Sequence, residues 1–498
     1  MLFVMRIFQL ILTTTLIVFA DYLFAQHTFE KTFSRPEDQI INNVIEDKDG
    51  NYIMAGRIKD TESTFYSGYI IKVDTTGNLL QEEIISPNDS ISSLFFNIHL
   101  FNNHFYILGS QMVSYPDTSK LWYLKLNSNM EIEDEKLLNI PIGRWFSYMN
   151  SIIDSDTNIV ITGYTTRFDT VSPSPYNNDP FFFKISILGD SLSSNFISND
   201  YHLSLSYDII EKVDNSGYFS FGFKYSSSIS AGSQRYELTK QFDSIEILSV
   251  PYNINGYVSS SILNDSIIVL CGSGGSEPAP EYSLNVLSTT FNNTPLNYNY
   301  FKMEDAVRDY SGYYQNIDIF DNSIYISGTS NFDYVNPFWS TFNSWYHLVK
   351  LNSDFSSIWE YWYGGDAYYF LYGILATNDG GCIMVGNRYD YETQNQERDI
   401  YIVKVDSNGL VTWSQEIPVN SLSTMVYPNP GTGQLNIKTS INNVDFELIN
   451  LNGQVVIRKR LDENQSDINT EILKSGIYFY RLIDKKNKAI ETGKWIKK

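Results

Sequence analysis

The sequence predicts an all-β protein in two parts, and three observations predict it. Apolar runs of strand length recur along the 498 residues, divided by turns such as Asp49-Gly50, Asn102-Asn103 and Thr76-Gly77. A unit averaging about 55 residues repeats seven times. Charge then changes sign near residue 425: the residues from there on carry 12 Lys/Arg against 8 Asp/Glu, a net of +4, so the −22 of the whole chain leaves −26 for the part before.

The repeat unit is an apolar run, an Asp/Asn/Gly turn, a second apolar run ending in Gly, a variable loop, and an aromatic-x-x-Lys-hydrophobic-Asp/Asn run with another turn. It reads clearly at residues 44–56 with 69–77, and again at 374–386 with 401–409. The second-run glycines are Gly56, Gly109, Gly163, Gly222, Gly272, Gly328 and Gly386, spaced by 53, 54, 59, 50, 56 and 58. The fourth and fifth units are degenerate: Lys240 is offset by one residue and Val286 stands near the expected Lys.

Each unit holds four strand-length segments, in the first at about 40–47, 51–58, 68–74 and 78–85. That period is too long for a β-helix coil and too short for an immunoglobulin-type sandwich, and it suits a four-stranded propeller blade. Seven blades close into a ring that hides the sheet edges. Residues 26–418 are therefore predicted to form a seven-bladed β-propeller, its last blade completed by residues 29–33 or by 411–415.

The chain opens with a lone Arg6, an apolar run at 7–20 and a small-residue cleavage candidate at Ala25. This is the layout of a signal peptide, 1–25, too short for a spanning helix. Cys271 and Cys382 lie inside apolar runs two repeats apart and are expected to be free core thiols. A body at −26 repels phosphate backbones, which argues against nucleic acid as a partner and is compatible with cations, cationic partners or neutral polymers, or with charge that serves only to keep a secreted protein soluble.

After a polar linker at 419–424, Tyr427-Pro428-Asn429-Pro430 opens a terminal module of short runs. Leu448 and Asn450 lead to a hairpin at Gly453, Gly476-Ile477-Tyr478-Phe479 forms a further strand, and a Lys-containing tail runs from Lys494 to Lys498. In this order the motifs resemble the type A C-terminal sorting domain of the type IX secretion system of Bacteroidetes, over residues 425–498. The resemblance implies a small immunoglobulin-like β-sandwich and delivery of the body through the periplasm and outer membrane to the cell surface or medium. It also implies the secretion machinery as partner and removal of the module after export.

Strand parity decides which face of a propeller is variable. In a four-stranded meander the 1–2 and 3–4 turns share one face, and here they are tight hairpins. The 2–3 and 4–1 connections share the other face and hold the long loops, read at 141–150, 165–180, 200–207, 304–314, 329–344 and 361–372. Loops carried on a rigid scaffold are where binding residues concentrate. That face offers Arg144, Trp145, Tyr201, His202, Tyr313, Tyr314, Trp339, Trp345, Tyr361, Trp362 and Asp366 as ligand-binding candidates, flat apolar surfaces beside hydrogen-bonding groups that suit sugar rings or a protein. The competing role for each of these aromatics is packing between blades.

Other chemistry is sparse. The run 377–381 resembles the start of an Asp-box but reads as an Asp-Gly hairpin, and 47–51 lacks the acidic residue that would close a calcium loop. His99 and His104, paired across the 102–103 turn, are two potential ligands and no metal site. No Gly-x-Ser-x-Gly occurs, and the five His form no nucleophile arrangement. No catalytic residue, metal or cofactor is expected. The function read from the sequence is a secreted or surface binding module with a glycan or protein ligand. The alternatives are a glycan hydrolase built on carboxylates among Asp169, Glu304, Asp305 and Asp366, and a structural surface protein with no defined ligand.

Overall fold

The computed structural model describes residues 27–498 except 61, 87–90, 113–118, 141–145, 169–175, 198–202, 227–228, 244, 253, 275–281, 305–307, 394–396, 412–423, 440–443, 451–453, 462–464 and 484–488. The proposed signal peptide lies outside the described residues. The chain divides into two compact units, Met1–Thr412 and Trp413–Lys498.

The first unit is a seven-bladed β-propeller. Its inner strands are Asp38–Glu46, Ser92–Phe101, Phe146–Ile153, Leu203–Glu211, Ile254–Leu263, Asp309–Ser311 continued by Ile317–Phe320, and Tyr368–Ala376. From each, the chain meanders outward through antiparallel strands in sequence order, so blade 1 spans 38–85 and blade 6 spans 309–364. Blade 7 takes its fourth strand from the other end of the unit: Phe29–Phe33 pairs antiparallel with Asp399–Val405, in register Phe29 to Lys404 and Phe33 to Ile400. The ring is thus closed by backbone hydrogen bonds between its two ends. Of the competing candidate, residues 412–415 lie outside the described residues.

Six of the seven recurring glycines share one steric cause, a close inner-strand carbonyl. Five of the inner strands carry a β-bulge at the same place: between Ile41 and Asn43, Phe95 and Asn97, Tyr148 and Asn150, Ser206 and Asp208, and Leu371 and Gly373. The second-strand glycine pairs with the residue just before each bulge, where the inner strand presses inward. A Cβ on Gly56 would come within 1.9 Å of the Ile40 carbonyl oxygen, on Gly109 within 2.1 Å of Leu94 O, and on Gly222 within 1.8 Å of Leu205 O. Gly328 stands 2.3 Å from Tyr310 O by the same measure, and Gly386 2.2 Å from Phe370 O. Only glycine leaves room for that approach.

The recurring lysine closes a contact within its blade. Lys72 meets Asp47 at 2.9 Å and Lys404 meets Asp379 at 2.9 Å, each joining the third strand to the carboxylate that organises the 1–2 turn. Asp47 also accepts the Asp49 and Asn51 amides at 2.9 Å, which is why residues 47–51 form a turn. Lys240, displaced from the pattern, lies between Asp154 (3.7 Å), Asp156 (3.0 Å) and Glu211, bridging blades 3 and 4.

Apolar side chains of the inner three strands fill the spaces between blades, whereas fourth strands such as Leu79–Ile85 are half exposed on their outer edge. Cys271 and Cys382 are free and buried, as the sequence predicts. The loops on the 2–3 and 4–1 face are shorter than expected. Residues 361–364 belong to the strand Ser357–Gly364 and 368–372 to Tyr368–Ala376, leaving 365–367 as the connection.

The second unit is a β-sandwich. Three strands, Thr424–Tyr427, Gln434–Thr439 and Gln465–Asn469, form one sheet, and Val455–Leu461, Val444–Ile449, Gly476–Ile483 and Ala489–Lys497 form the other. Leu435, Ile437, Phe446, Leu448, Leu482 and Trp495 are fully buried between them.

Candidate functional site in the central channel

The predicted loop-face residues that are described scatter. Arg144, Trp145, Tyr201 and His202 lie outside the described residues. Tyr313 and Tyr314 are in an aromatic cluster: Tyr313 packs on Tyr257 at 4.2 Å, Tyr314 at 4.6 Å and Tyr372 at 5.5 Å between ring centroids. With Phe96, Tyr207 and Phe370, this cluster fills the loop-face half of the channel. Trp362 stacks on His347 at 5.0 Å and donates from Nε1 to Ser330 Oγ at 3.0 Å, on the face of its own sheet. Trp345 opens a third strand and covers Gly365, where a Cβ would meet its Nε1 at 2.0 Å. Tyr361 stands on the exposed outer strand beside Trp359. Trp339 lies against the Arg398 guanidinium, 4.4 Å from ring centre to Cζ.

Of the four carboxylates suggested for catalysis, two are described. Asp169 and Asp305 lie outside the described residues, Glu304 sits exposed in a turn, and Asp366 is 3.1 Å from Arg388. Hydrogen bonds from Tyr369 and Arg388 outweigh partial burial and hold the Asp366 carboxyl below its ordinary range, the state of an ion-pair member rather than of a general acid. The hairpin pairs as expected, His104 opposite Phe101, yet the two histidine rings take different partners: His99 meets Ser151 Oγ at 2.6 Å and His104 meets Glu133 at 3.2 Å.

What the structure does assemble is the other half of the channel. The inner strands of all seven blades line a cavity of about 390 Å³ just beyond the bulges, toward the hairpin face. A ring of side-chain hydrogen bonds runs around it. Asn97 Nδ2 donates to Asn150 Oδ1 at 2.7 Å, Asn150 donates to Asp208, and Ser260 Oγ donates to Asp208 Oδ2 at 2.6 Å, linking blades 2 to 5. Ser259 Oγ donates to Tyr314 O at 2.9 Å, joining blade 5 to blade 6. Blade 7 has Gly373 at the ring position, and across it Asn43 Nδ2 of blade 1 reaches Gln315 Oε1 of blade 6 at 3.4 Å. Near the mouth the Ala376 amide donates to Asp318 at 2.8 Å and the Asn378 amide to Glu46 at 3.0 Å.

Burial sets the charge states here. It pushes the Asp208 and Asp318 carboxyls each up to about 6 and the His99 imidazole down to about 4, so His99 is neutral at pH 7. The wider mouth is bordered by Glu46, His99, Leu100, Phe101, Asp154 and Asn378. Sequence reading missed this ring, though a signal exists: a polar residue stands 12 to 14 residues before each second-run glycine in blades 1 to 6.

In the second unit the predicted sorting residues meet the C-terminal strand. Asn429 Oδ1 accepts the Ile496 amide at 3.0 Å and its Nδ2 donates to Lys494 O at 2.7 Å. Pro428 O accepts Trp495 Nε1 at 2.8 Å, and Gly431 exchanges backbone bonds of 2.8 Å with Ile496 and Lys498. The Tyr427–Pro430 motif and the tail beginning at Lys494 are thus two sides of one contact. Tyr478 is buried against Trp495, Gly476 starts its strand with φ of 159°, and Gly453 lies outside the described residues.

Residues 425–498 match the model of the secretion system C-terminal sorting domain. No curated protein matches the chain. Among solved structures, the chain is similar to an acylaminoacyl peptidase of Pyrococcus horikoshii, with 10% identity, a TM-score of 0.43, and coverage of 82% of this chain and 58% of that one. It is similar to a Penicillium chrysogenum α-L-arabinanase complexed with arabinobiose, with 6% identity, a TM-score of 0.44, and coverage of 77% and 99%. PorZ, a bacterial surface component of the type-IX secretion system of Porphyromonas gingivalis, matches with 9% identity, a TM-score of 0.21, and coverage of 92% and 81%. The sorting domain marks the protein for export to the cell surface or the extracellular space by the type IX system. No helix among the described residues is long and apolar enough to cross a membrane.

Proposed function

We propose that this exported propeller is a binding module that takes its ligand, a glycan or a protein segment, at the central channel from the hairpin face. The observation that carries the reading is the cavity to which all seven blades contribute, closed on the loop side by the Tyr313–Tyr314 aromatic cluster. Ligand sites are typically concave, mostly apolar and equipped with a few fixed polar groups. The cavity fits that description, with aliphatic Ile45, Ile152, Ile210 and Leu375 beside the amide ring.

The loop-face aromatics are part of the scaffold in this reading. Tyr313, Tyr314 and Trp362 spend their surface on neighbouring rings, and Trp339 on Arg398. Binding of the mature chain to a glycan array and to surface-protein extracts, repeated with Ile45→Trp to fill the channel, tests the proposal. Retained binding by the filled variant at unchanged melting temperature would sink it.

A further inference from the structure

We infer that the channel cavity holds one uncharged sugar residue, gripped by the amides of Asn43 and Gln315. This rests on the channel-binding reading above and adds the chemical class of the ligand.

The argument starts from hydrogen-bonding capacity. Asn43 is 5% exposed, lines the cavity, and uses only its Nδ2, donating to Gln315 Oε1. Its Oδ1 accepts nothing among the described residues, and Gln315 Nε2 donates to nothing among them. A primary amide carries two donors and two acceptor lone pairs. Whichever way the two amides are turned, the pair therefore offers at least one donor and one acceptor to the cavity. Blade 7 has Gly373 at this position, without a side chain to lie over the amide pair, and even a Cβ there would stand 3.5 Å or more from its nearest neighbours.

Charge then selects. Among the described residues no Lys or Arg lines the cavity, and Glu46 and Asp154 border its mouth, so an anion meets no countercharge there. A cation is disfavoured for a different reason. Asp208, the one carboxylate in the cavity wall among the described residues, already has Oδ1 occupied by Asn150 and Oδ2 by the amide and hydroxyl of Ser260, which leaves little to hold an ammonium group. A neutral ligand with its own donors and acceptors fits what remains. The walls add Ile45, Ile152, Ile210 and Leu375, aliphatic surfaces that match the C–H faces of a pyranose or furanose ring. The volume of about 390 Å³ lies near the lower end of the roughly 300–1,000 Å³ usual for small-ligand sites, room for one residue rather than a long chain.

The test titrates the full mature chain with glucose, galactose, mannose, arabinose and N-acetylglucosamine, with glucuronate and glucosamine as charged counterparts, by ligand-observed NMR and calorimetry. At least one neutral sugar is expected to bind saturably. Asn43→Leu and Gln315→Ala are each expected to weaken it at least tenfold, with the charged sugars at least tenfold weaker than their neutral partners. Melting temperatures are read alongside, and Gln315→Ala, which only shortens a half-exposed side chain, serves if Asn43→Leu does not fold. No binding by any neutral sugar, equal binding by glucuronate or glucosamine, or binding indifferent to both substitutions overturns the inference. Array or extract ligands that are lost in Ile45→Trp while all the neutral sugars fail would keep the channel reading and remove the sugar. Ligands retained in Ile45→Trp would remove both.

Discussion

Arg398 grips Asp38 with a two-pronged fork, Nε to Oδ1 at 2.8 Å and Nη2 to Oδ2 at 2.7 Å, at the seam where the last blade meets the first. The Arg398 amide adds a third bond to Asp38 Oδ1 at 3.0 Å, and the Gln39 amide returns one to Arg398 O at 2.9 Å. Both side chains are nearly buried, and Trp339 of blade 6 covers the guanidinium. Three blades are therefore tied through one arginine.

Removing one partner of a buried pair leaves the other charge uncompensated. Asp38→Ala is expected to cost about 3–5 kcal/mol in chemical denaturation, and Arg398→Met a similar amount. The double variant is expected to recover part of that loss. Additive losses in the double variant would show that the pair is not coupled.

Gly328→Val places a branched side chain where even a Cβ would stand 2.3 Å from Tyr310 O. The two strands must separate, and a destabilisation of a few kcal/mol, on the order of the largest single-residue effects, is expected in one cooperative transition of the propeller. Blades melting independently would instead describe an open array.

The channel carboxylates give a pH signature. Asp208 and Asp318 have folded-state values of about 6, above those of an unfolded Asp near 3.9. The folded state thus holds the extra protons, so these groups destabilise above pH 6, and stability is gained as pH falls from about 6 toward 4. His99, lowered to about 4, has the opposite sign: its contribution is present above about 6.5 and is lost as pH falls through 4. Asp208→Asn is therefore expected to make stability fall more steeply from pH 6.5 to 4 than in the parent protein, and His99→Gln to make it fall less. Unchanged pH profiles in both variants would contradict the assigned states.

Trp362→Ala removes the stack on His347 and the bond to Ser330. It is expected to lower stability by about 3 kcal/mol, as truncation of a packed aromatic does, while the remaining folded protein keeps its full ligand affinity. Loss of binding without loss of stability would return the site to the loop face.

Deleting residues 425–498 is expected to leave a folded propeller in the periplasm. Asn429→Ala, which loses the bonds to Lys494 and Ile496, is expected to reduce the amount reaching the surface. Undiminished export of the truncated chain would refute the sorting role.

The blade count, the all-β class and the terminal module are legible in the sequence alone, because they are written in local, periodic features. Glycine at a bulge has no substitute, turn residues have fixed offsets, and the sorting motifs are short and ordered. The lysine repeat was legible as a pattern, although its cause, the contact with the turn aspartates Asp47 and Asp379, was not. The surroundings of the candidate aromatics, by contrast, come from tertiary packing. Tyr313 and Tyr314 have the composition of a binding surface, and whether such a ring faces solvent or another ring depends on neighbours more than fifty residues away in sequence, such as Tyr257 and Tyr372 for Tyr313. The channel ring is the same case reversed. Asn43 and Gln315 are 272 residues apart, and they meet because the seventh blade places a glycine between them and the ring closes.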